Sequence, residues 1–310
     1  MSERKILAGT YTDTGSRGIY SFAMKNGVLS VPQVFAEVGS PKYIDVSSGL
    51  AASIEKSRGA GGAAVYDETG HLLAERAWEA TTSCWIGWHD QNVYTANYHT
   101  GFVSRLKYAD GELKVEKTVD IHDNAGCHQV LFHKDQILVP CLFMDRIMIF
   151  DTDLNFLGFI SFPSGTGPRH GVFSEDGTML YLVSELSNEL FVLDTEDWGV
   201  RSVLPVLADG RTNIRGTAAV RLCEEKKKLY VSTRGADVIS VIDLEKMKNV
   251  QEVYSGGKSP RDFILCDGYL ITANRYSDSV VSFELKEDGL VGSEISRITI
   301  PQPVSLKVLK

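Results

Sequence analysis

The segments Met179-Leu-Tyr-Leu-Val183 and Glu189-Leu-Phe-Val-Leu193 are two short apolar runs separated by Ser184-Glu-Leu-Ser-Asn188. Their length and their aliphatic and aromatic content are typical of two neighbouring β-strands, and the polar residues between them indicate a turn. Each of seven such runs along the chain follows another strand-like run. The seven runs equivalent to the second one are Gly18–Phe22, Ala63–Asp67, Phe102–Leu106, Arg146–Phe150, Glu189–Leu193, Val238–Ile242 and Val280–Glu284.

The starts of these seven runs lie between 39 and 49 residues apart. A repeat of about 40–45 residues is the length of one four-stranded propeller blade. No stretch has the pattern of a long amphipathic helix. The sequence therefore predicts an all-β fold, a seven-bladed β-propeller with four antiparallel strands per blade, formed by residues 1–310 as a single domain.

The two ends of the chain complete one another. A second repeat marks the innermost strand of each blade, and its last copy, Pro303–Leu309, has no further strands after it. The N-terminal Ile6–Tyr11 has no innermost strand before it. We expect the C-terminal strand to join the N-terminal blade, because closing the ring removes the unpaired strand edges.

Composition excludes several classes of protein. The 310 residues are 43% hydrophobic and 23% charged, with a formal net charge of −8, which argues against a nucleic-acid partner because phosphate binding needs a basic face. No run is apolar enough to span a membrane, and the N-terminus lacks the pattern of a secretory signal. Five widely spaced cysteines without a CxxC pair fit a reducing compartment, so we expect a cytoplasmic protein.

Equivalent positions of a propeller lie at equal height around its axis, so the second residues of the innermost strands form a ring at one mouth of the channel. In chain order the ring reads Lys42, Cys84, His128, Arg169, Ala218, Arg261 and Val304. The loops after the second strands open at the same mouth and contribute Asn97, Tyr98, Glu185, Arg234, Asn274 and Arg275. Such a cationic pocket with one carboxylate and one imidazole suits a small anion.

Several of these residues lie in motifs that resemble a known family. Gly126-Cys-His-Gln129, Asp145-Arg146, Gly165-Thr-Gly-Pro-Arg-His170 and Ser184-Glu-Leu-Ser187 resemble the lactonase family of seven-bladed β-propellers. This family includes the cycloisomerase-type 6-phosphogluconolactonases and the fungal carboxy-muconate lactonising enzymes. The resemblance runs from Gly9 to Asp262 and implies that the active cleft is lined by His128, Arg169, Glu185 and Arg234.

The resemblance implies hydrolysis of a small anionic sugar lactone, with 6-phosphogluconolactone of the pentose phosphate pathway as the leading candidate. We expect His128 to act as general base or acid, Arg169 and Arg234 to hold the anion or the developing oxyanion, and Glu185 to orient an arginine or the water. Lys42, Asn97, Tyr98, Arg261 and Arg275 are predicted to bind substrate. No cofactor is expected.

Other interpretations stay open. A muconate-type cycloisomerase would use the same arginines for carboxylates, and a non-catalytic propeller would bind a metabolite or a protein on this face. The seven histidines form no HExxH or comparable pair, so no metal is expected. His170 follows Arg169 on a strand and should point to the opposite face, as should Cys127 relative to His128. The oligomeric state is left undetermined.

Overall fold

Seven antiparallel sheets surround a central channel in the computed structural model, which describes residues 2–57, 59–208, 211 and 214–309. The predicted seven-bladed propeller is confirmed. Numbered from the N-terminus, blade 1 has strands Arg4–Thr10 (β1), Gly18–Lys25 (β2), Val28–Leu29 (β3), Gln33–Glu37 (β4) and, from the C-terminus, Pro303–Leu309 (β29).

The remaining six blades each contain four consecutive strands. Blades 2 to 4 comprise Ile44–Ser47 (β5), Leu50–Ser57 (β6), Ala60–Tyr66 (β7), Leu72–Glu79 (β8), Trp85–His89 (β9), Asn92–Ala96 (β10), Phe102–Ala109 (β11), Glu112–Asp120 (β12), Leu131–His133 (β13), Gln136–Cys141 (β14), Arg146–Asp151 (β15) and Phe156–Ser161 (β16). Blades 5 to 7 comprise Pro168–Phe173 (β17), Met179–Ser184 (β18), Glu189–Asp194 (β19), Val200–Pro205 (β20), Thr217–Cys223 (β21), Lys228–Thr233 (β22), Val238–Asp243 (β23), Lys248–Tyr254 (β24), Pro260–Cys266 (β25), Tyr269–Asn274 (β26), Ser279–Leu285 (β27) and Val291–Thr299 (β28).

Burial explains why the middle strands read as continuous apolar runs. In β18 every residue after Met179 is buried, whereas in the outermost strand β20 exposed and half-buried residues alternate after Val200. Neighbouring blades pack face to face, so a middle strand buries both of its faces and an outer strand only one. The two three-residue 3₁₀ helices, Leu142–Met144 and Arg275–Ser277, are neither long nor apolar enough to cross a membrane, and no other helix is found in the described chain.

The ring closes as the sequence predicts. Strand β29 pairs antiparallel with β1, so that Ile6 lies opposite Val308 and Ala8 opposite Leu306. The outer strand of blade 1 is the exception to the four-strand pattern, because it is split into β3 and β4 around Pro32. Proline has no backbone N–H and cannot continue the ladder.

A backbone irregularity repeats where innermost strands begin. The pairing of β17 with β18 skips Arg169, and the pairing of β25 with β26 skips Arg261. A similar shift between β1 and β29 skips Val304. A bulge of this kind re-aims the extra side chain. The second residue of the strand, the position of the predicted ring, is therefore set by the bulge.

A repeated Asp or Asn fixes the loops that lead into these strands. Each precedes the third strand of its blade and has a positive φ. Each accepts hydrogen bonds from backbone N–H groups just before or at the start of the next innermost strand: Asp145 from Gly165 and Gly167, Asn188 from Gly216 and Thr217, Asp237 from Ser259, and Asp278 from Gln302. These contacts join successive blades at the upper mouth, the end of the channel where the innermost strands begin.

Candidate active site

A cavity of about 240 Å³ opens at the upper mouth of the channel. Its walls are lined by Tyr11, Lys42, Cys84, Tyr98, His99, His128, Glu185, Arg234 and Arg261. A smaller space directly beneath shares several of these residues and adds Tyr43, Arg169, His170 and Val304. The structure thus brings the four predicted catalytic residues together from blades 4, 5 and 6.

Glu185 links the two predicted catalytic arginines. Its Oε2 lies 2.8 Å from Arg169 Nε and 2.8 Å from Arg234 Nη2. Burial opposes ionisation of Glu185, but attraction to the two guanidinium groups outweighs it and lowers its pKa below the ordinary value. The carboxylate is therefore charged at neutral pH and holds both arginines in place.

The two arginines differ in their access to a ligand. Arg169 is only 1% exposed and also donates to the Ala218 carbonyl. Burial lowers the pKa of Arg169 to about 10, so it remains charged at pH 7. The Arg234 side chain is 19% exposed and lines the upper cavity, while its Nε donates to the Gly216 carbonyl at 3.1 Å.

His128 is a buried imidazole, 4% exposed, in the wall of the cavity. Burial, followed by repulsion from Arg169, lowers the pKa of His128 well below its ordinary value. The ring is therefore neutral at pH 7. Its buried Nδ1 has no hydrogen-bond partner among the described residues. Tyr98 lies edge-on to this ring, with centroids 5.8 Å apart.

Three further predicted residues gather around Tyr11, which the sequence analysis gave no role. The Tyr11 ring centroid lies 3.8 Å from Arg275 Cζ, 5.7 Å from Arg261 Cζ and 5.9 Å from Lys42 Nζ. These distances fit cation–π contacts. Burial lowers the pKa of Lys42, and attraction to Tyr11 offsets this only in part.

Asn97 does not lie in the cavity wall, contrary to the prediction that it binds substrate. It is fully buried, and its amide donates to Glu79 and to the Thr81 carbonyl. Its oxygen accepts the backbone N–H of His99 at 3.0 Å. Tyr98 lies in the turn that follows β10 and faces the cavity, while Asn97 anchors this turn from behind.

The expectation that His170 points away from Arg169 is wrong. Both side chains line the space beneath the upper cavity, and the His170 ring lies 5.1 Å from that of His128. The bulge at Arg169 removes one residue from the alternation, so two consecutive side chains face the channel. Burial, followed by repulsion from Arg169, lowers the pKa of His170 well below its ordinary value.

Tyr11 and His99 are the cavity residues that sequence reasoning missed. A signal for Tyr11 was present, because ring closure makes β1 the second strand of blade 1. The loop after β1 is then equivalent to the loops that carry Tyr98 and Arg234. His99 is the next residue after Tyr98 in such a loop.

The lower mouth of the channel holds a second cavity, of about 540 Å³. Its basic residues are Arg221 and Lys307. Arg221 donates to Asp262, and Lys307 Nζ lies 2.8 Å from an oxygen of Asp45. Both cations of this mouth are therefore ion-paired. In the described part of the chain, no group of three or more His, Cys, Asp or Glu side chains is arranged to hold a metal ion.

Comparison with known proteins agrees with this architecture. The profile of the family described as "Lactonase, 7-bladed beta-propeller" matches residues 5–308. A 6-phosphogluconolactonase of Bacillus subtilis (strain 168) is 30% identical over 338 aligned residues, which cover 97% of this chain and 97% of that protein.

Two solved structures are similar over the whole chain. A protein from Lactobacillus plantarum is 26% identical, with 100% of both chains covered and a TM-score of 0.91. A candidate 6-phosphogluconolactonase from Bacteroides fragilis is 26% identical, with 100% of this chain and 98% of that chain covered and a TM-score of 0.88. The propeller, the motifs that line its upper mouth and these relatives lead to one assignment: the chain belongs to the lactonase family of seven-bladed β-propellers and is a lactone-hydrolysing enzyme.

Proposed function

We propose that the chain hydrolyses a small anionic sugar lactone, 6-phosphogluconolactone in the first place, at the upper cavity. The observation that carries this proposal is the buried imidazole of His128 in the wall of a cavity whose charged side chains are basic except for Glu185. A lactone carbonyl needs a base for the attacking water and positive charge for the developing oxyanion.

His128 takes a proton from the water as its oxygen bonds to the lactone carbonyl carbon. When the tetrahedral intermediate collapses, the bond from that carbon to the ring oxygen breaks, and the imidazolium returns its proton to the departing oxygen. A low pKa makes imidazole a weaker base and imidazolium a stronger acid. The environment of His128 therefore favours the second proton transfer, to the leaving alkoxide.

In this proposal Arg234 stabilises the oxyanion, and the support for this role is that its guanidinium lines the cavity and is held by Glu185 and by the Gly216 carbonyl. Arg169 contributes indirectly, from the space beneath the cavity. Almost fully buried, it fixes Glu185 and adds positive charge beneath the cavity. In this scheme the Glu185 carboxylate is a positioning residue shared by both arginines.

A second candidate is lactonising cycloisomerisation of a muconate-type acid. The observation in its favour is the number of basic side chains around Tyr11, which would also suit a substrate with several carboxylates. Both reactions are assayed on the same purified protein, with the sugar lactone and with the muconate, so that one preparation decides between them.

The test of the catalytic scheme is His128→Asn, assayed on 6-phosphoglucono-δ-lactone after subtraction of spontaneous opening. Asparagine keeps part of the hydrogen bonding but cannot transfer the proton, so turnover should fall by about 10²–10⁴-fold. The matched control is His133→Asn. His133 is a similarly buried histidine of blade 4 that stacks on Phe173 and lies outside both upper spaces.

The control variant should keep its turnover per folded molecule. Full activity in His128→Asn would refute the proposed base. A wild-type rate no greater than spontaneous opening would refute the sugar lactone as substrate, and conversion of the muconate by the same preparation would then support the second candidate.

A further inference from the structure

The five basic side chains predicted for the upper mouth fall into two groups. Arg169 and Arg234 share the carboxylate of Glu185. The other three are Lys42, Arg261 and Arg275, and among the described residues none of them forms an ion pair. The two groups lie in different sectors of the ring: the first in blades 5 and 6, the second at the junction of blades 7, 1 and 2.

The hydrogen bonds of the second group do not compensate its charge. Lys42 Nζ donates to the Thr82 carbonyl at 3.4 Å, and Arg275 Nε donates to Gln302 Oε1 at 2.9 Å. Arg261 makes no side-chain hydrogen bond or ion pair within the described chain, and its Cζ lies 5.7 Å from the Tyr11 ring centroid. Neutral acceptors stabilise a cation less than a carboxylate does, so these groups retain donors and charge for an external anion.

Burial makes this arrangement costly without a ligand. Lys42 and Arg261 both line the upper cavity and the narrower space beneath it. Desolvation lowers the pKa of Lys42, and Asp13 attracts it without forming an ion pair. Lys42 and Arg261 are half-buried, and partial desolvation of a charge without an ionic partner is unfavourable. All three cations lie within 6 Å of the Tyr11 ring centroid, so an anion bound beside this ring would be attracted by each of them.

We infer that Lys42, Arg261 and Arg275, arranged around Tyr11, form the subsite for the phosphate group of a phosphosugar lactone, separate from the lactone-opening group of His128, Arg234 and Glu185. This inference rests on the proposed function. A phosphate monoester carries close to two negative charges at pH 7 and three acceptor oxygens. Two arginines and a lysine supply matching donors.

The positions of the two groups in the ring of blades support separate roles in binding the phosphate and in opening the lactone. His128 belongs to blade 4, which lies across the channel from blade 1, where Tyr11 is placed. A substrate that fills the cavity can then direct its anionic end to one side and its lactone carbonyl to the other. The phosphate would fix orientation, and binding energy at a remote group would promote reaction at the carbonyl.

The experiment compares 6-phosphoglucono-δ-lactone with unphosphorylated glucono-δ-lactone in the wild type and in Arg261→Gln. For the phosphorylated lactone kcat/KM should fall by about 10- to 100-fold, since a hydrogen bond to a charged group is lost. For glucono-δ-lactone kcat/KM should stay within about threefold, because that substrate has no phosphate group to contact Arg261. Arg297→Gln is the control, since Arg297 lies on the outer strand of the same blade and is paired with Glu294 at 2.7 Å.

His128→Asn serves as the reference in this comparison, since it should slow both lactones equally. An equal loss on both lactones in Arg261→Gln would overturn the phosphate subsite while leaving the lactonase proposal intact.

A binding measurement separates the subsite from the chemistry. The stable product 6-phosphogluconate and, as a simpler probe, inorganic phosphate should raise the melting temperature of the wild type and of Arg297→Gln but not that of Arg261→Gln. If neither probe stabilises the wild type, the subsite is refuted. If they do so in a protein that opens no lactone, the subsite stands as an anion-binding site and the proposed reaction fails.

Discussion

The two mouths of the channel differ in how their basic residues are compensated. At the lower mouth, Lys307 is paired with Asp45. Burial opposes the charge of Lys307, but attraction to Asp45 and Tyr43, together with the hydrogen bond to Asp45, outweighs burial and raises the pKa of Lys307. At the upper mouth, Lys42 has no such partner among the described residues, and burial lowers its pKa. Burial lowers the pKa of both lysines, and the partners of Lys307 reverse this shift whereas those of Lys42 do not.

The lower carboxylates also connect blades. Asp45 accepts the backbone N–H of Trp88 at 2.8 Å, and Asp262 accepts that of Leu306 at 3.0 Å. Each aspartate therefore joins its own blade to the next one by a charge-assisted hydrogen bond. The lower mouth is a closed structural network, whereas the upper mouth keeps charge available. Pairing of charges, more than their number, distinguishes a binding mouth from a structural one.

The largest effect on stability is expected from breaking the lower network with Asp262→Asn. The substitution removes the negative charge that pairs with the half-buried Arg221, and losing a hydrogen bond between charged groups typically costs about 1.5–3 kcal/mol. Urea unfolding should show this loss, while kcat per folded molecule stays unchanged. Its sequence neighbour provides the contrast, since Arg261→Gln should leave the free energy of unfolding within about 1 kcal/mol of the wild type. Equal destabilisation by the two substitutions would contradict the claim that paired charges stabilise the lower mouth more than the upper one.

A smaller change in the free energy of unfolding is expected when either of the two lysines is replaced, with opposite signs for Lys307 and Lys42. Lys307→Met leaves Asp45 without its partner and should lower the free energy of unfolding by about 1–2 kcal/mol. Lys42→Met removes a half-buried charge that has no carboxylate partner among the described residues, and should raise the stability of the ligand-free protein by up to about 1 kcal/mol. Thermal unfolding without phosphate in the buffer measures both. Destabilisation by Lys42→Met comparable to that by Lys307→Met would contradict the proposed difference.

The smallest expected effect is the change of lactonase kcat/KM with pH. Because burial and Arg169 lower the pKa of His128 well below 6.5, the base form stays populated as pH falls through that value. Lactonase kcat/KM should therefore change by less than about twofold between pH 7.5 and 6.0, whereas a histidine of ordinary pKa would lose about fourfold. Initial rates corrected for spontaneous opening provide the measurement. A fourfold decline would show that the positive surroundings of the upper mouth do not act on His128.

The sequence by itself determined the number of blades, the closure of the ring and the height at which His128, Arg169 and Arg261 lie. These features follow from spacing and alternation, which are local properties of the chain. The same reasoning predicted that Glu185 lies at the same mouth as the arginines, because equivalent loops of a repeat open on the same side.

Only the tertiary structure decided which side chains reach the cavity. The bulge at Arg169 turned His170 inward, and the hydrogen bonds of Asn97 withdrew it from the wall. The ion pairs could not be predicted from the sequence either, because each joins two blades. Arg221 and Asp262 lie on blades 6 and 7, and Lys307 and Asp45 lie on blades 1 and 2. Strand alternation fixes a direction for each side chain, but bulges and contacts between blades depend on neighbours that are distant in sequence.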